Sequence, residues 1–420
     1  MRKRFIIIIV ALVVVVGVIV YFFITGAPSS TTPGGQTGSL PGASVGTGGA
    51  LLPGVGTSTP LGSAGSQIAI VDSGPVAAYF ANSTGTVTVV RSNGAIVQIA
   101  NGQAVSLSSS SISDIISAAF SYDGRKIAIS YGSAANPQTS VFDAQSRTWT
   151  QLSMGMLSPV WSPLDYRLAF LRNGGNGTES LNVIDFSKAK PTASTLGTWY
   201  VQDMALQWTM SSTIILSGSP SARADVSALA FNTVKSTLTP IVVSRAGFSA
   251  IWNGTPSMGL AFSTTPAQRG GHLQLIDVQG ATLQNLSFLT LPLKCAFGQA
   301  IGPAPSSAVP VVPSSTKAAT SATSSLRTTA TSTLSFYLAL YCAVPNDQDT
   351  LSYKPLPDAY LQHAIPTNDT VYRINITTGH IDTAFSGLAS GLDATMLHAA
   401  GTKLYFVNWY DKKLYSVVLP

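Results

Sequence analysis

Chemistry on a folded chain needs titratable or nucleophilic side chains within reach of one another, so the histidines, acids and cysteines come first. The four histidines are His272, His363, His380 and His398, and no two stand at metal-ligand spacing. Asp347-Gln348-Asp349 alternates acids, but no glycine-containing calcium frame follows it. No metal and no cofactor is therefore expected. Gly42-Ala43-Ser44-Val45-Gly46 matches the GxSxG nucleophile elbow in form. That motif needs a strand before it and a helix after it. Here it stands in a low-complexity stretch and reads as chance. His398 falls in a predicted strand and reads as a hydrogen-bonded structural residue. With no hydrolase domain before Pro420, the sequence predicts a chain that is not an enzyme.

What remains is a candidate binding loop, residues 345–367, which carries Asp347, Asp349, Tyr353, Asp358, Tyr360 and His363. Long ordered loops on a rigid scaffold are where binding residues collect. The competing reading is a surface decoration with no ligand.

The two cysteines, Cys295 and Cys342, flank a low-complexity segment at 298–333 that is rich in Ala, Pro, Ser and Thr. They fall on the first and second strands of one unit. Antiparallel neighbours can lie close enough to bond, and an extracytoplasmic location permits a disulfide. Two buried free thiols are the alternative.

The elements that position these residues are strands. Only 10% of residues are charged, and Glu179 is the one glutamate against sixteen aspartates. Glu favours helices, whereas Asp favours turns. With abundant Thr, Val, Ser and Gly, this points to an all-β fold. Ile116-Ser117-Ala118-Ala119-Phe120 and Lys126-Ile127-Ala128-Ile129 flank the turn signal Asp123-Gly124. The phrase recurs around Trp161, with Pro163-Leu164-Asp165 as the turn. Phe120, Trp161, Trp208, Trp252 and Phe297 end first strands at intervals of 41, 47, 44 and 45 residues. A period in the low to middle forties with several short strands per unit is that of a β-propeller blade. The recurring tryptophans are read as core.

Seven units are counted, with an error of one: 67–108, 114–154, 156–199, 203–244, 248–292, 293–386 and 392–420. The last lacks an outer strand. Residues 67–71 either supply it and close the ring or form the inner strand of the first unit.

These phrases resemble the WD40-like repeats of TolB-type propellers, in which a turn of the form SPDG separates the first two strands. Ser121-Tyr122-Asp123-Gly124 and Ser162-Pro163-Leu164-Asp165 carry the likeness. It implies a propeller of about seven four-stranded blades over residues 67–420. Sialidase-type propellers carry repeated Asp boxes and an arginine cluster, and neither is present.

Residues 5–24 are twenty consecutive uncharged residues behind Arg2-Lys3-Arg4. As a helix they would be about 30 Å long, the thickness of a bilayer core. The positive-inside rule puts residues 1–4 in the cytoplasm and the propeller outside. A cleaved signal peptide is the alternative, but Pro28 is a poor neighbour for cleavage after Ala27. Residues 25–66 form a Gly/Ser/Pro-rich linker, read as a disordered tether of roughly 35 Å end to end.

The formal charge is +6, and without the three basic residues ahead of the apolar segment the remaining charges are dispersed. No nucleic-acid surface is expected. The reading is a single-pass protein of the cytoplasmic membrane that displays a binding or scaffold propeller outside, with an envelope protein or glycan as partner. The alternative is a propeller enzyme acting on carbohydrate or peptide, which acids or histidines lining the central channel would favour.

Overall fold

The turn Ser121–Gly124 shows how a blade begins. The Ser121 hydroxyl donates to Asp123 Oδ1 at 2.7 Å and accepts from the Lys126 amide at 2.9 Å. The carboxylate and hydroxyl thus satisfy the backbone donors that a tight turn leaves unpaired. Gly124 has φ +73°, and a Cβ there would lie 2.3 Å from the Phe80 ring of the preceding blade. Only glycine fits both demands.

The computed structural model describes residues 68–254, 258–303, 334–388 and 391–419. The chain divides into Met1–Pro53 and Gly54–Pro420, and all described residues belong to the second unit. The expected membrane segment 5–24, the linker 25–66 and residues 304–333 lie outside the described residues. Among the described residues no helix is long and apolar enough to cross a membrane.

The described residues form seven four-stranded antiparallel sheets. Six take their strands in chain order, and we number them as blades: 76–108, 115–151, 157–199, 204–246, 249–286 and 295–386. The seventh blade combines Ala394–Ala400, Lys403–Asn408 and Leu414–Val418 with Ile68–Asp72. Ile68 pairs with Val417, so the first described strand is the outer strand of the last blade and closes the ring. This also protects a sheet edge.

A core lies between every pair of neighbouring blades. Ile127 and Phe142 of blade 2 pack on Val90 and Ile96 of blade 1. Trp161 of blade 3 packs on Ala128 and Val141. The pattern continues around the ring until Tyr405 and Leu414 of blade 7 meet Val89 and Val97 of blade 1. Second strands are sandwiched on both sides, as in Lys126–Tyr131, whose four central residues are buried. Apolar runs rather than alternation are expected there. Trp161 and Trp208 are buried as core, and the Trp161 indole donates to the Ala119 carbonyl across the blade boundary at 3.0 Å.

Each innermost strand begins at one face of the ring, here called the upper face. That face carries the links between blades and those between second and third strands. The lower face carries the remaining turns. Pairing of Ile68 with Val417 places the start of Ile68–Asp72 at the lower face.

In blade 6 the strands run longer than expected. Cys295–Pro303 pairs with Leu334–Pro345 along its whole length, Gly298 opposite Ala339 and Pro303 opposite Leu334. Residues 298–303 therefore belong to the sheet, not to the low-complexity segment. Their Gly and Ala content hides a strand whose Ala300 packs in the core between blades 6 and 7. Cys295 and Cys342 are directly opposite in this pair and are joined by a disulfide.

Candidate functional site

The strongest departure from a plain blade is the link between the second and third strands of blade 6, on the upper face. Residues 345–367 fold into two short helices, α1 (Gln348–Ser352) and α2 (Asp358–Leu361). Leu351, Leu356, Ala359, Tyr360 and Ile365 point into the core between blades 5 and 6. That apolar set fixes the segment on the ring.

Polar anchors spread it over four blades. The Gln348 amide accepts from the Leu289 N–H at 2.6 Å and donates to the Leu289 and Pro345 carbonyls. The Thr264 hydroxyl of blade 5 donates to the Leu356 carbonyl, and Gly270 N–H donates to the Lys354 carbonyl at 2.8 Å. The Asp358 carboxylate accepts from the Ala222 N–H of blade 4. On the other side His363 stacks on Trp409 of blade 7, and the Tyr410 hydroxyl donates to the Thr367 carbonyl at 2.6 Å.

Beneath the segment lies a buried ion cluster. Lys294 is 1% exposed, and its Nζ lies 2.7 Å from Asp393 Oδ1, 2.8 Å from Asp369 Oδ2 and 2.8 Å from Thr367 Oγ1. The Tyr360 hydroxyl donates to Asp393 Oδ1 at 2.7 Å. Burial, and then the Asp393 charge, push the Tyr360 phenol above its ordinary range. Burial raises the Asp369 carboxyl against the opposing pull of Lys294. Beside it the Lys412 ammonium lies over the Trp409 ring, and burial pulls its pKa down to about 8. These groups are enclosed by one another and hold the face together.

An open cleft of this face lies between blades 4 and 5. It measures about 340 Å³ and is lined by Asp225, Arg245, Ala246, Ser263, Thr264, Thr265, Pro266 and Gln268. Its size falls within the roughly 300–1,000 Å³ typical of ligand pockets. Strands Asp225–Asn232, Thr237–Ala246 and Met258–Ser263 deliver these residues at their upper ends. Gly247, at φ +66°, lets the backbone turn tightly against Thr264, where any Cβ would overlap the hydroxyl. A carboxylate can take or give a proton, and a guanidinium can hold an anion.

The predicted loop residues are divided among different roles. Tyr360 is buried in the ion cluster, Asp358 reaches blade 4 and His363 lies on Trp409. Asp347 caps α1, and the hydroxyl and amide of Thr350 hold its carboxyl below the usual range. Asp349 and Tyr353 are exposed. His398 lies on the inner strand of blade 7, and its ring nitrogen is 3.0 Å from the Ala81 carbonyl. The seven inner strands carry this one histidine and no acid, so the described channel wall is not an acidic one. Among the described residues no three His, Cys, Asp or Glu side chains are grouped to hold a metal.

Sequence reasoning missed the cleft and Lys294. Asp225, Arg245 and Ser263 are 38 residues apart from first to last and meet only because neighbouring blades share one face. The available signal was the turn-rich run after Phe262, at the position where blade 6 carries its long segment.

No family model and no curated relative matches this chain. Solved structures do. An oligogalacturonate lyase in complex with manganese matches with a TM-score of 0.51 at 10% identity, covering 86% of this chain and 94% of that one. The tricorn protease matches with a TM-score of 0.45 at 11% identity over 83% of this chain, which spans 33% of that protein. TolB from Acinetobacter baumannii matches with a TM-score of 0.34 at 11% identity, covering 82% of this chain and 63% of that one. This chain likewise spans about half of the prolyl endopeptidases (51%) and less of an acylaminoacyl peptidase (43%). At such identities the likeness is one of fold.

It nevertheless overturns one expectation. The sequence alone predicts a chain that is not an enzyme. A lyase matches over 86% of this chain with a TM-score of 0.51, so this fold is compatible with catalysis. The non-enzymatic reading is withdrawn.

Proposed function

We propose that this chain is a propeller enzyme acting on a carbohydrate or peptide held at the upper face, in the cleft between blades 4 and 5. The observation that carries the reading is the cleft itself, where one carboxylate, Asp225, and one guanidinium, Arg245, line a polar space. Asp225 is the group that exchanges a proton with the ligand, and Arg245 holds its negative charge, standing or developing. The segment 345–367 acts as a brace, because its bonds to the Ala222 N–H and the Thr264 hydroxyl hold residues on either side of the cleft.

We also propose display outside the cytoplasmic membrane by an anchor at residues 5–24, with an envelope glycan or protein as the partner. The uncharged run behind three basic residues supports this, as does the disulfide. The strand Ile68–Asp72 starts at the lower face, and the cleft opens at the upper one.

The test is product analysis by mass spectrometry after incubating the full-length chain with envelope oligosaccharides and peptides. Turnover that Asp225→Asn abolishes is expected. Turnover unchanged in Asp225→Asn, or none with any substrate, would overturn the reading.

A further inference from the structure

Resting on the cleft reading above, we propose that the ligand is an acidic saccharide, with a carboxylate on Arg245 and hydroxyls on Asp225, Ser263 and Gln268. The inference comes from which lining groups are already engaged. The Thr264 hydroxyl is committed to the Leu356 carbonyl and the Thr265 hydroxyl to the Arg269 carbonyl at 2.5 Å. Asp225 Oδ2 accepts from the Ser244 hydroxyl at 2.8 Å, which leaves Oδ1 open. The side chains of Ser263 and Gln268 have no hydrogen-bond partner among the described residues, and neither has the Arg245 guanidinium. Elsewhere in the ring Arg91 is paired with Asp72, Arg125 with Asp143, Arg167 with Asp165 and Arg373 with Asp382. Arg147, Arg223 and Arg269 also have no ion pair among the described residues, but they are exposed, whereas Arg245 is half-buried.

A half-buried, unpaired guanidinium offers a planar fork that fits a carboxylate through two parallel bonds. Asp225 in the same cleft disfavours a dianionic group such as phosphate, because two like charges would add to its own. It suits a ligand that brings one negative charge and several hydroxyls. The apolar lining is limited to Ala246 and Pro266, so the cleft has no pocket for the side chains by which a peptide is read. An acidic sugar matches every open group.

The probes are a trimer of a hexuronic acid, the same trimer with its carboxyls reduced to alcohols, and an acidic tripeptide. Each is titrated calorimetrically into the full-length chain in detergent micelles. The acidic trimer is expected to bind at least about tenfold more tightly than the reduced one, the gain of a charge-assisted bond. Arg245→Gln should erase that difference, Arg245→Lys should keep part of it, and added salt should weaken the acidic trimer alone. Equal binding of both trimers, weakened by Asp225→Asn and untouched by Arg245→Gln, would overturn the acidic class and leave the cleft standing. Preferred binding of the tripeptide would overturn the saccharide. Failure of all three probes to bind would overturn the cleft reading with it. Melting temperatures of the variants separate lost binding from lost folding.

Discussion

His363 lies flat on Trp409, with ring centroids 3.6 Å apart and planes 16° from parallel. The two residues belong to different blades, and their stack pins one end of the segment 345–367 to blade 7. Asp358 and Thr264 pin the other end to blades 4 and 5. Such a stack contributes about 0.5–1.5 kcal/mol beyond its buried area. His363→Ala should therefore lower the melting temperature by a few degrees and speed proteolysis within 345–367. Unchanged cleavage there would mean that the segment does not depend on blade 7.

The Lys294 cluster sets a sharper test. Removing the cation leaves Asp369 and Asp393 buried and close together without a counter-charge. Breaking a buried pair in this way costs about 3–5 kcal/mol. Lys294→Met should lower the urea midpoint strongly. Combining it with Asp369→Asn and Asp393→Asn should restore much of the loss. A mild Lys294→Met would contradict the geometry.

The disulfide closes a loop with a sequence separation of 47. In the chain-entropy model a loop of that length is worth about 4 kcal/mol. Thermal unfolding with and without reductant measures it. The double variant Cys295→Ser, Cys342→Ser should melt at the reduced protein's temperature and ignore reductant.

Lys412 gives a pH dependence of known sign. Burial pulls its folded pKa down to about 8 from the ordinary 10.5, so the unfolded chain binds more protons between those values. Stability attributable to this group therefore rises with pH from about 8 to 10.5. Relative to Lys412→Met, the wild-type protein should gain stability across that window. A parallel pair of pH profiles would show that the ammonium is not desolvated.

The blades were legible because each repeats the same physical problem. A turn such as Ser121–Gly124 must satisfy its own donors, and an aromatic at the Phe120 or Trp161 position must fill the space between sheets. Both leave residue types at a regular interval. The long segment in blade 6 was visible as an interruption, and the pairing of Cys295 with Cys342 followed from the strands that carry them. The closing strand Ile68–Asp72 remained ambiguous, since an apolar run of that length fits an inner or an outer place equally well. The cleft left no trace of that kind. Asp225 and Arg245 end two strands of blade 4, whereas Ser263 and Gln268 come from blade 5, and no spacing rule links them. Lys294 was equally silent, because its carboxylate partners lie 75 and 99 residues further along.

The central claim is that the upper face between blades 4 and 5 is where this protein meets its ligand. Hydrogen–deuterium exchange of the full-length chain, with and without the hexuronic acid trimer, tests it most directly. Protection confined to peptides spanning residues 219–225, 244–248 and 263–272 is predicted, and Arg245→Gln should weaken it. Protection of the lower-face turns at 82–86 and 121–125 instead would place the ligand on the opposite face and contradict the claim.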